Sequence, residues 1–411
     1  MAAPAGVLVS PSMLWQAELP NRYGTLTSDQ LGEAISSRRK ELGSRLLILG
    51  HHYQRDDVIR HADLIGDSLK LSRMAAAEAP RRGARFIVFC GVHFMAETAD
   101  ILTPDDVQVI LPDFSAGCSM ADMAAYDDAL TAWEQIAETH RSSNVRVIPI
   151  TYVNSTAAVK AFVGEHGGAC CTSSNAREVF DWALAGGNER LRVGERAQLL
   201  FMPDQHLGRN TARARGLRSE LDAERSKSLA DMAVWDPRKP NGGLSAETIS
   251  NVTVLLWAGH CSVHKLFRPE HVAQARHHHA ETTVIVHPEC TQEVVELADE
   301  VGSTEFIIER LHKAPEGSHW SIGTETHLVE RLCRSSLDRG VFARMLSDCQ
   351  CMCTTMVRIN QQHLLWVLDN LAEGRVVNRI QVNAEASRLA RLALDRMLSL
   401  RPPAPAAAMV D

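Results

Sequence analysis

Residues 46–90 read LLILGHHYQRDDVIRHADLIGDSLKLSRMAAAEAPRRGARFIVFC. The segment opens on a continuous apolar run, Leu46-Leu47-Ile48-Leu49, that stops at GHHYQ. It closes on a second run, Phe86-Ile87-Val88-Phe89, that stops at CGVH. Runs that are apolar throughout, rather than at alternate positions, belong to strands buried on both faces. Between them, Val58 to Ala79 carries Ala62, Ile65, Leu69 and Ala76 at helical spacing and is expected to be one helical crossover. The βαβ pattern then recurs. Val107–Leu111 ends at PDFSAGC, Val145–Ile150 at TYVNS, Leu199–Met202 at PDQHLGRN, Val254–Trp257 at AGHCSVH, Val284–Val286 at HPEC and His319–Ile322 at GTETH. The fold class is therefore α/β with parallel sheets. Such sheets bind ligands beyond the carboxyl ends of their strands. Here those ends collect nearly all the His, Cys, Asn, Ser and acidic clusters, which points to one site fed by many loops.

At 411 residues the chain is long enough for about two to three domains and a sizeable core. Its net charge of −7 makes it a poor partner for a phosphate backbone, so no nucleic acid is expected. The start, MAAPAGVLVSPSML, lacks basic residues and a long apolar run, so no membrane span is expected and the chain reads as cytoplasmic. Arg209 to Glu247 is polar and contains the turn signal WDPRKPNGG; it reads as a solvated insertion or loop.

The ten cysteines are too sparse for a secreted disulfide scaffold. Cys90, Cys170, Cys171 and Cys333 sit in or beside apolar stretches and read as small buried hydrophobes, with Cys290 left open. Others stand beyond strand-like runs: Cys118 after Gly117, Cys261 between His260 and His264, and the knot Cys349, Cys351, Cys353. Three thiolates from three distant loops leave one corner of a metal cluster free for substrate. The knot's C-x-C-x-C spacing is not the C-x-x-C of a zinc site. Among the histidines, His277-His278-His279 close a polar helical stretch and read as solvated. His51, His264 and His287 lie just past strand ends. Glu289, two residues beyond His287, shares one side of an extended segment with it, as an acid–base pair or as a carboxylate beside a structural histidine.

Taken in order, GHHYQRDDVIRHADLIGDSLKLSR, FCGVHFMAETADIL, LPDFSAGCSMADM, TYVNST, CTSSNA, MPDQHLGRN, WAGHCSVH, VIVHPECTQEVVELAD, VGSTEFII, IGTETHLVERL and CQCMCTTMVRINQQHLLWVL resemble the quinolinate synthase family, the A protein of bacterial de novo NAD synthesis. The resemblance runs from about Leu46 to Asn370. It implies three similar three-layer α/β/α domains around a pseudo-threefold axis, each giving one cysteine, Cys118, Cys261 and Cys351, to a [4Fe-4S] cluster at their junction. The implied boundaries are 1–40 for an N-terminal extension and 41–125, 126–262 (with the 209–247 insertion) and 263–355 for the three domains. C-terminal helices over 356–400 and a disordered tail over 401–411 complete the chain.

The implied reaction is that of a condensing transferase: iminoaspartate (iminosuccinate) and dihydroxyacetone phosphate give quinolinate, phosphate and water, with the open iron as Lewis acid. The resemblance also implies a functional link to L-aspartate oxidase. It assigns substrate contacts to His51, Ser68, Tyr152, Val153, Asn154, Ser173, His264, His287, Pro288, Glu289 and Thr304. Catalytic roles fall to Glu289 as base, with His287 and Tyr53 beside it. Hydroxyl, amide and imidazole donors suit a dicarboxylate, and enolisation and dehydration need a movable proton. Two rival classes are an aconitase-type hydro-lyase, which should lack the joint YVN, TSSN and HPE set, and a non-catalytic iron–sulfur redox sensor built on the knot, which needs no dicarboxylate pocket.

Overall fold

The computed structural model describes residues 15–348 and 351–400; the tail expected to be disordered, Cys349 and the first residues of the N-terminal extension lie outside the described residues. Among the described residues fourteen strands form three sheets. The first holds β1 (Leu46–His51), β2 (Leu64–Gly66), β3 (Phe86–Cys90) and β4 (Gln108–Ile110). The second holds β5 (Val145–Tyr152), β6 (Ala169–Cys171), β7 (Arg196–Met202), β8 (Met232–Trp235) and β9 (Val254–Trp257). The third holds β10 (Thr283–Val286), β11 (Glu300–Val301), β12 (His319–Gly323) and β13 (Phe342–Met345), and β14 (Arg379–Ile380) returns to the first. All pairs are parallel except β14 against β4.

The spatial orders are β2-β1-β3-β4-β14, β6-β5-β7-β9-β8 and β11-β10-β12-β13. With β8 and β14 set aside, each sheet reads second–first–third–fourth in its own chain order. The sequence shows no fixed-period repeat, yet the topology repeats three times. Continuous apolarity has the expected consequence: all of β1 is buried, and in the third sheet Val284 and Val286 enter one apolar cluster while Ile285 and Ile322 enter another on the opposite face. The first two sheets share a larger core.

Two expectations are corrected. Val58–Ala79 is not one helix, because β2 interrupts it between the turn Asp56–Ile59 and the helix Ser68–Arg82. Asp63 accepts the Ile48 N–H at 2.7 Å and so fastens the start of β2 to β1. Asp67 then caps the next helix by accepting the Lys70 N–H at 2.8 Å. Arg209–Glu247 is likewise no loop. It contains the end of the helix Gln205–Arg213, the helix Glu220–Ser226 and β8, whose Trp235 is buried. The four apolar residues MAVW pair with β9 at the sheet edge, and the expected turn follows at Pro240–Gly243.

The C-terminal segment ties the first two sheets together. β14 extends the first sheet, while the helix Ala384–Ser399 packs on Ala157–Glu165 beside the second. The approach is close because Gly164 has no side chain: a Cβ there would lie 2.0 Å from the Leu389 carbonyl oxygen. Gly164→Ala is therefore expected to force the two helices apart and to cost about 2 kcal/mol of stability despite its better helix propensity. An unchanged urea midpoint would show that this packing is dispensable.

Candidate active site

The strand ends of all three sheets open into one pocket with about 650 Å³ of empty space, its mouth included. From the first sheet come His51 and Tyr53 beyond β1, Ser68 beyond β2 and Cys118 beyond β4. The second gives Tyr152 and Asn154 at β5, Ser173 beyond β6, and Cys261 and His264 beyond β9. The third gives His287 and Glu289 beyond β10, Thr304 beyond β11 and Cys353 beyond β13. Of the residues singled out in the sequence, Val153, Pro288 and Cys351 do not line it. Val153 donates its N–H to the Cys171 carbonyl at 2.8 Å, and the Pro288 carbonyl accepts from Asn210 Nδ2 at 2.9 Å. Asn210 also donates to the Cys290 carbonyl at 2.8 Å, so this helix side chain holds HPEC in place.

Glu289 is buried at the centre. Its Oε1 accepts from Tyr152 Oη at 2.6 Å and its Oε2 from His264 Nδ1 at 2.9 Å. Burial alone would raise this carboxyl, but the imidazoles of His264 and His287 and the hydrogen bonds from His264 and Tyr152 outweigh it and hold the group below the usual carboxylate range. Burial, reinforced by Glu289, pushes Tyr152 and Tyr53 well above the ordinary phenol value, so both stay protonated. His264 Nε2 lies 3.2 Å from Thr324 Oγ1, which lies 3.0 Å from Tyr53 Oη; Tyr53 in turn meets Thr304 Oγ1 at 3.1 Å. A continuous hydrogen-bonded chain thus runs Tyr152–Glu289–His264–Thr324–Tyr53–Thr304. In its middle a carboxylate fixes one imidazole nitrogen and leaves the other on a hydroxyl, the arrangement that gives a hydroxyl or bound water a proton acceptor.

His51 and His287 are held alike. Each Nδ1 accepts the backbone N–H two residues on, Tyr53 at 3.1 Å and Glu289 at 3.3 Å. Burial, with the neighbouring His52 and Arg331 for His51 and His264 for His287, lowers both to about 3. Both rings are neutral near pH 7 with the hydrogen on Nε2, which makes them donors for an anionic ligand without the cost of a buried cation. Asn154 Oδ1 is buried without a partner, an acceptor that a ligand donor would satisfy.

The thiols of Cys118, Cys261 and Cys353 meet at this pocket. Burial pushes Cys118 up to about 12 and Cys261 well above its ordinary value, and both feel the nearby Cys353. Thiols so desolvated ionise only against a cation. Ligand atoms of Cys261, His264 and Glu289 also lie within 4.8 Å of one another. Within the knot, Cys351 is buried in an apolar cluster with Val263, Phe267 and Cys290, and its carbonyl accepts the Thr326 N–H at 3.1 Å. Cys353 faces the pocket instead, because the chain is irregular here and turns at Thr354-Thr355 into Met356–Arg358. The sequence reading also missed Thr324 in GTETH and Asp67 in GDS. Both stand where a strand gives way to a helix cap, a signal legible in the polar residue just after the apolar run.

A strand-end site of this kind, with clustered thiols and histidines around a buried carboxylate, is that of an α/β enzyme acting on a small molecule. Residues 33–399 match the family described as Quinolinate synthetase A protein. The chain is 51% identical over 378 residues to the quinolinate synthase of Herpetosiphon aurantiacus, covering 92% of this chain and 94% of that one. It is 49% identical over 381 residues to that of Acidobacterium capsulatum, covering 93% and 96%, and 46% identical over 390 residues to that of Corynebacterium glutamicum, covering 95% and 92%. The chain belongs to the quinolinate synthetase A protein family. No helix among the described residues is long and apolar enough to cross a membrane.

The neutral histidines carry a pH signature. His51 is lowered from 6.5 to about 3 on folding. Between those values the unfolded chain binds a proton that the native chain does not, so stability is full above pH 6.5 and falls as pH drops. The slope is about 1.4 kcal/mol per pH unit for one such group. In denaturant titrations between pH 6 and 4, His51→Gln is expected to reduce the slope of unfolding free energy against pH by about one proton. An unaltered slope would mean that this imidazole charges in the native state.

Proposed function

We propose that the protein condenses iminoaspartate with dihydroxyacetone phosphate to give quinolinate, phosphate and two waters, the committed ring-forming reaction of NAD biosynthesis. The observation that carries this reading is the meeting of three thiols, each from beyond the last parallel strand of a different sheet's shared four-strand pattern, with neutral dicarboxylate donors in one pocket. Family membership supports the product.

The thiols of Cys118, Cys261 and Cys353 fit a [4Fe-4S] cluster. Soft sulfur donors on separate loops select such a group, and three ligands leave one iron for substrate. When bound, the cluster supplies a Lewis-acidic iron without redox change. The chain's own residues do the rest. His51 and His287 donate from Nε2 to the carboxylates of iminoaspartate, with Ser68, Ser173 and Thr304 as hydroxyl donors and Asn154 Oδ1 accepting from substrate. Glu289, the base expected from the sequence, is too well satisfied to act alone. It keeps His264 oriented so that Nε2 accepts through Thr324, while Tyr53 and Tyr152 hold protons for departing oxygens. The anionic imine substrate would come from an amino-acid oxidation, which links the protein to L-aspartate oxidase. We place the reaction in the cytoplasm, where thiols and cluster stay reduced.

Anaerobic protein mixed with iminoaspartate and dihydroxyacetone phosphate is expected to form quinolinate, and its absence with a fully loaded cluster would refute the reading. Cys118→Ala, Cys261→Ala and Cys353→Ala should each abolish stable iron binding, whereas Cys351→Ala should retain it; iron and sulfide analysis decides. A separate outcome concerns the proton chain. Glu289→Gln should keep the cluster and bind a dicarboxylate analogue, yet lose about a hundredfold or more in turnover. Near-normal turnover would remove Glu289 from the mechanism.

A further inference from the structure

Two fully buried carboxylates stand behind the cysteines and take no part in the proton chain. Beyond β7, Asp204 begins the helix Gln205–Arg213: its Oδ1 accepts the His206 and Leu207 N–H groups, each at 2.8 Å. Its Oδ2 accepts the Cys261 N–H at 3.0 Å. Beyond β12, Glu325 begins the helix Thr326–Leu337: its Oε2 accepts the His327 N–H at 2.8 Å and the Leu328 N–H at 3.3 Å. Its Oε1 accepts the Cys353 N–H at 3.3 Å and meets His327 Nδ1 at 2.9 Å. The two sites are topological equivalents: the acid follows the third strand of its sheet and the cysteine follows the fourth. In the first sheet the same place is held by Val92, which makes no side-chain cap. There the His93 N–H donates to the Ala116 carbonyl at 2.8 Å, two residues before Cys118.

We propose that Asp204 and Glu325 are positioning residues for the metal ligands Cys261 and Cys353. Each fixes a cysteine amide against a rigid helix end and so aims the thiolate. The inference rests on the cluster assignment above. An amide held by a carboxylate sets the direction of its Cα–Cβ bond and cannot turn to bond the sulfur, so the carboxylate governs both ligand geometry and the hydrogen bonding around the sulfur. In the Cys118 loop the carboxylate contact falls three residues earlier, where Asp113 Oδ1 accepts the Ser115 N–H at 2.9 Å.

The test compares anaerobically reconstituted wild type with Asp204→Asn and Glu325→Gln. These variants keep size and one oxygen for the helix but turn an amide NH₂ towards the cysteine N–H. Ser245→Ala, which removes the cap of the helix Ala246–Asn251, controls for loss of a cap alone. Both acid variants are expected to fold and load iron, to lose it to a chelator roughly tenfold or more faster than wild type, and to show altered electron paramagnetic resonance of the reduced cluster. Ser245→Ala should match wild type in both readouts. Wild-type release rates and spectra in the acid variants, with a loaded wild type, would overturn the proposal. A wild type that takes up no iron would instead overturn the cluster assignment and the proposal with it. Should the variants not accumulate, hydrogen exchange of wild-type apoprotein decides: the Cys261 and Cys353 amides should exchange far below intrinsic rates, and exchange at intrinsic rates would end the proposal.

Discussion

An ionised carboxylate sealed inside a protein has to be satisfied from every side, and Glu289 is satisfied by groups that no single sheet supplies. The carboxylate comes from beyond β10, the phenol of Tyr152 from the end of β5, and the imidazole of His264 from the turn after Cys261. Through Thr324 the network reaches Tyr53 of the first sheet. Separating any sheet from the others would strand a buried charge or hydroxyl, so the relative placement of the three is specified by polar satisfaction as well as by apolar packing. The same groups that lock the sheets together are those able to pass a proton.

The repeated second–first–third–fourth strand order gives each strand position a characteristic role. First strands end in the residues that face the pocket: His51 and Tyr53, Tyr152 and Asn154, His287 and Glu289. Second strands lead to hydroxyls: Ser68 and Thr304 each open a helix, near the positive end of its peptide dipoles, and Ser173 lies in the turn before the helix Ala176–Leu184. Fourth strands lead to the thiols. The reversal of strand order lies between first and third strands, where an open parallel sheet forms its crevice.

That repetition also explains what the sequence made legible. Eight apolar runs sufficed to find the longer strands, because strands packed on both faces are built mainly from apolar residues. β2, β6, β8, β11, β13 and β14 escaped because they are two to four residues long and take part of their identity from the neighbour they pair with, as Leu64 does from Leu49. Within the knot, residue type could not separate Cys351 from Cys353. Only the irregular chain there, fixed by Glu325 and Thr326 of a helix beginning some 25 residues earlier, decides which thiol faces the pocket. The residues named from motifs were found because each follows a strand end; Thr324 was missed because its work lies in linking His264 to Tyr53, a relation invisible until the first and third sheets are brought together.

Threefold repetition by itself would make a pocket with three equal walls, which suits no unsymmetrical reaction. The equivalents have diverged where symmetry would be useless. His51 and His287 share one backbone-held geometry, while the second sheet places Tyr152 at the matching strand and aims it at Glu289. Third strands lead to carboxylates at Asp204 and Glu325 but to Val92 in the first sheet, where Phe94 and Met95 also line the pocket. The result is a cavity with polar groups from all three sheets, a hydrogen-bonded chain across the middle and an apolar patch at Val92, Phe94 and Met95 on one side.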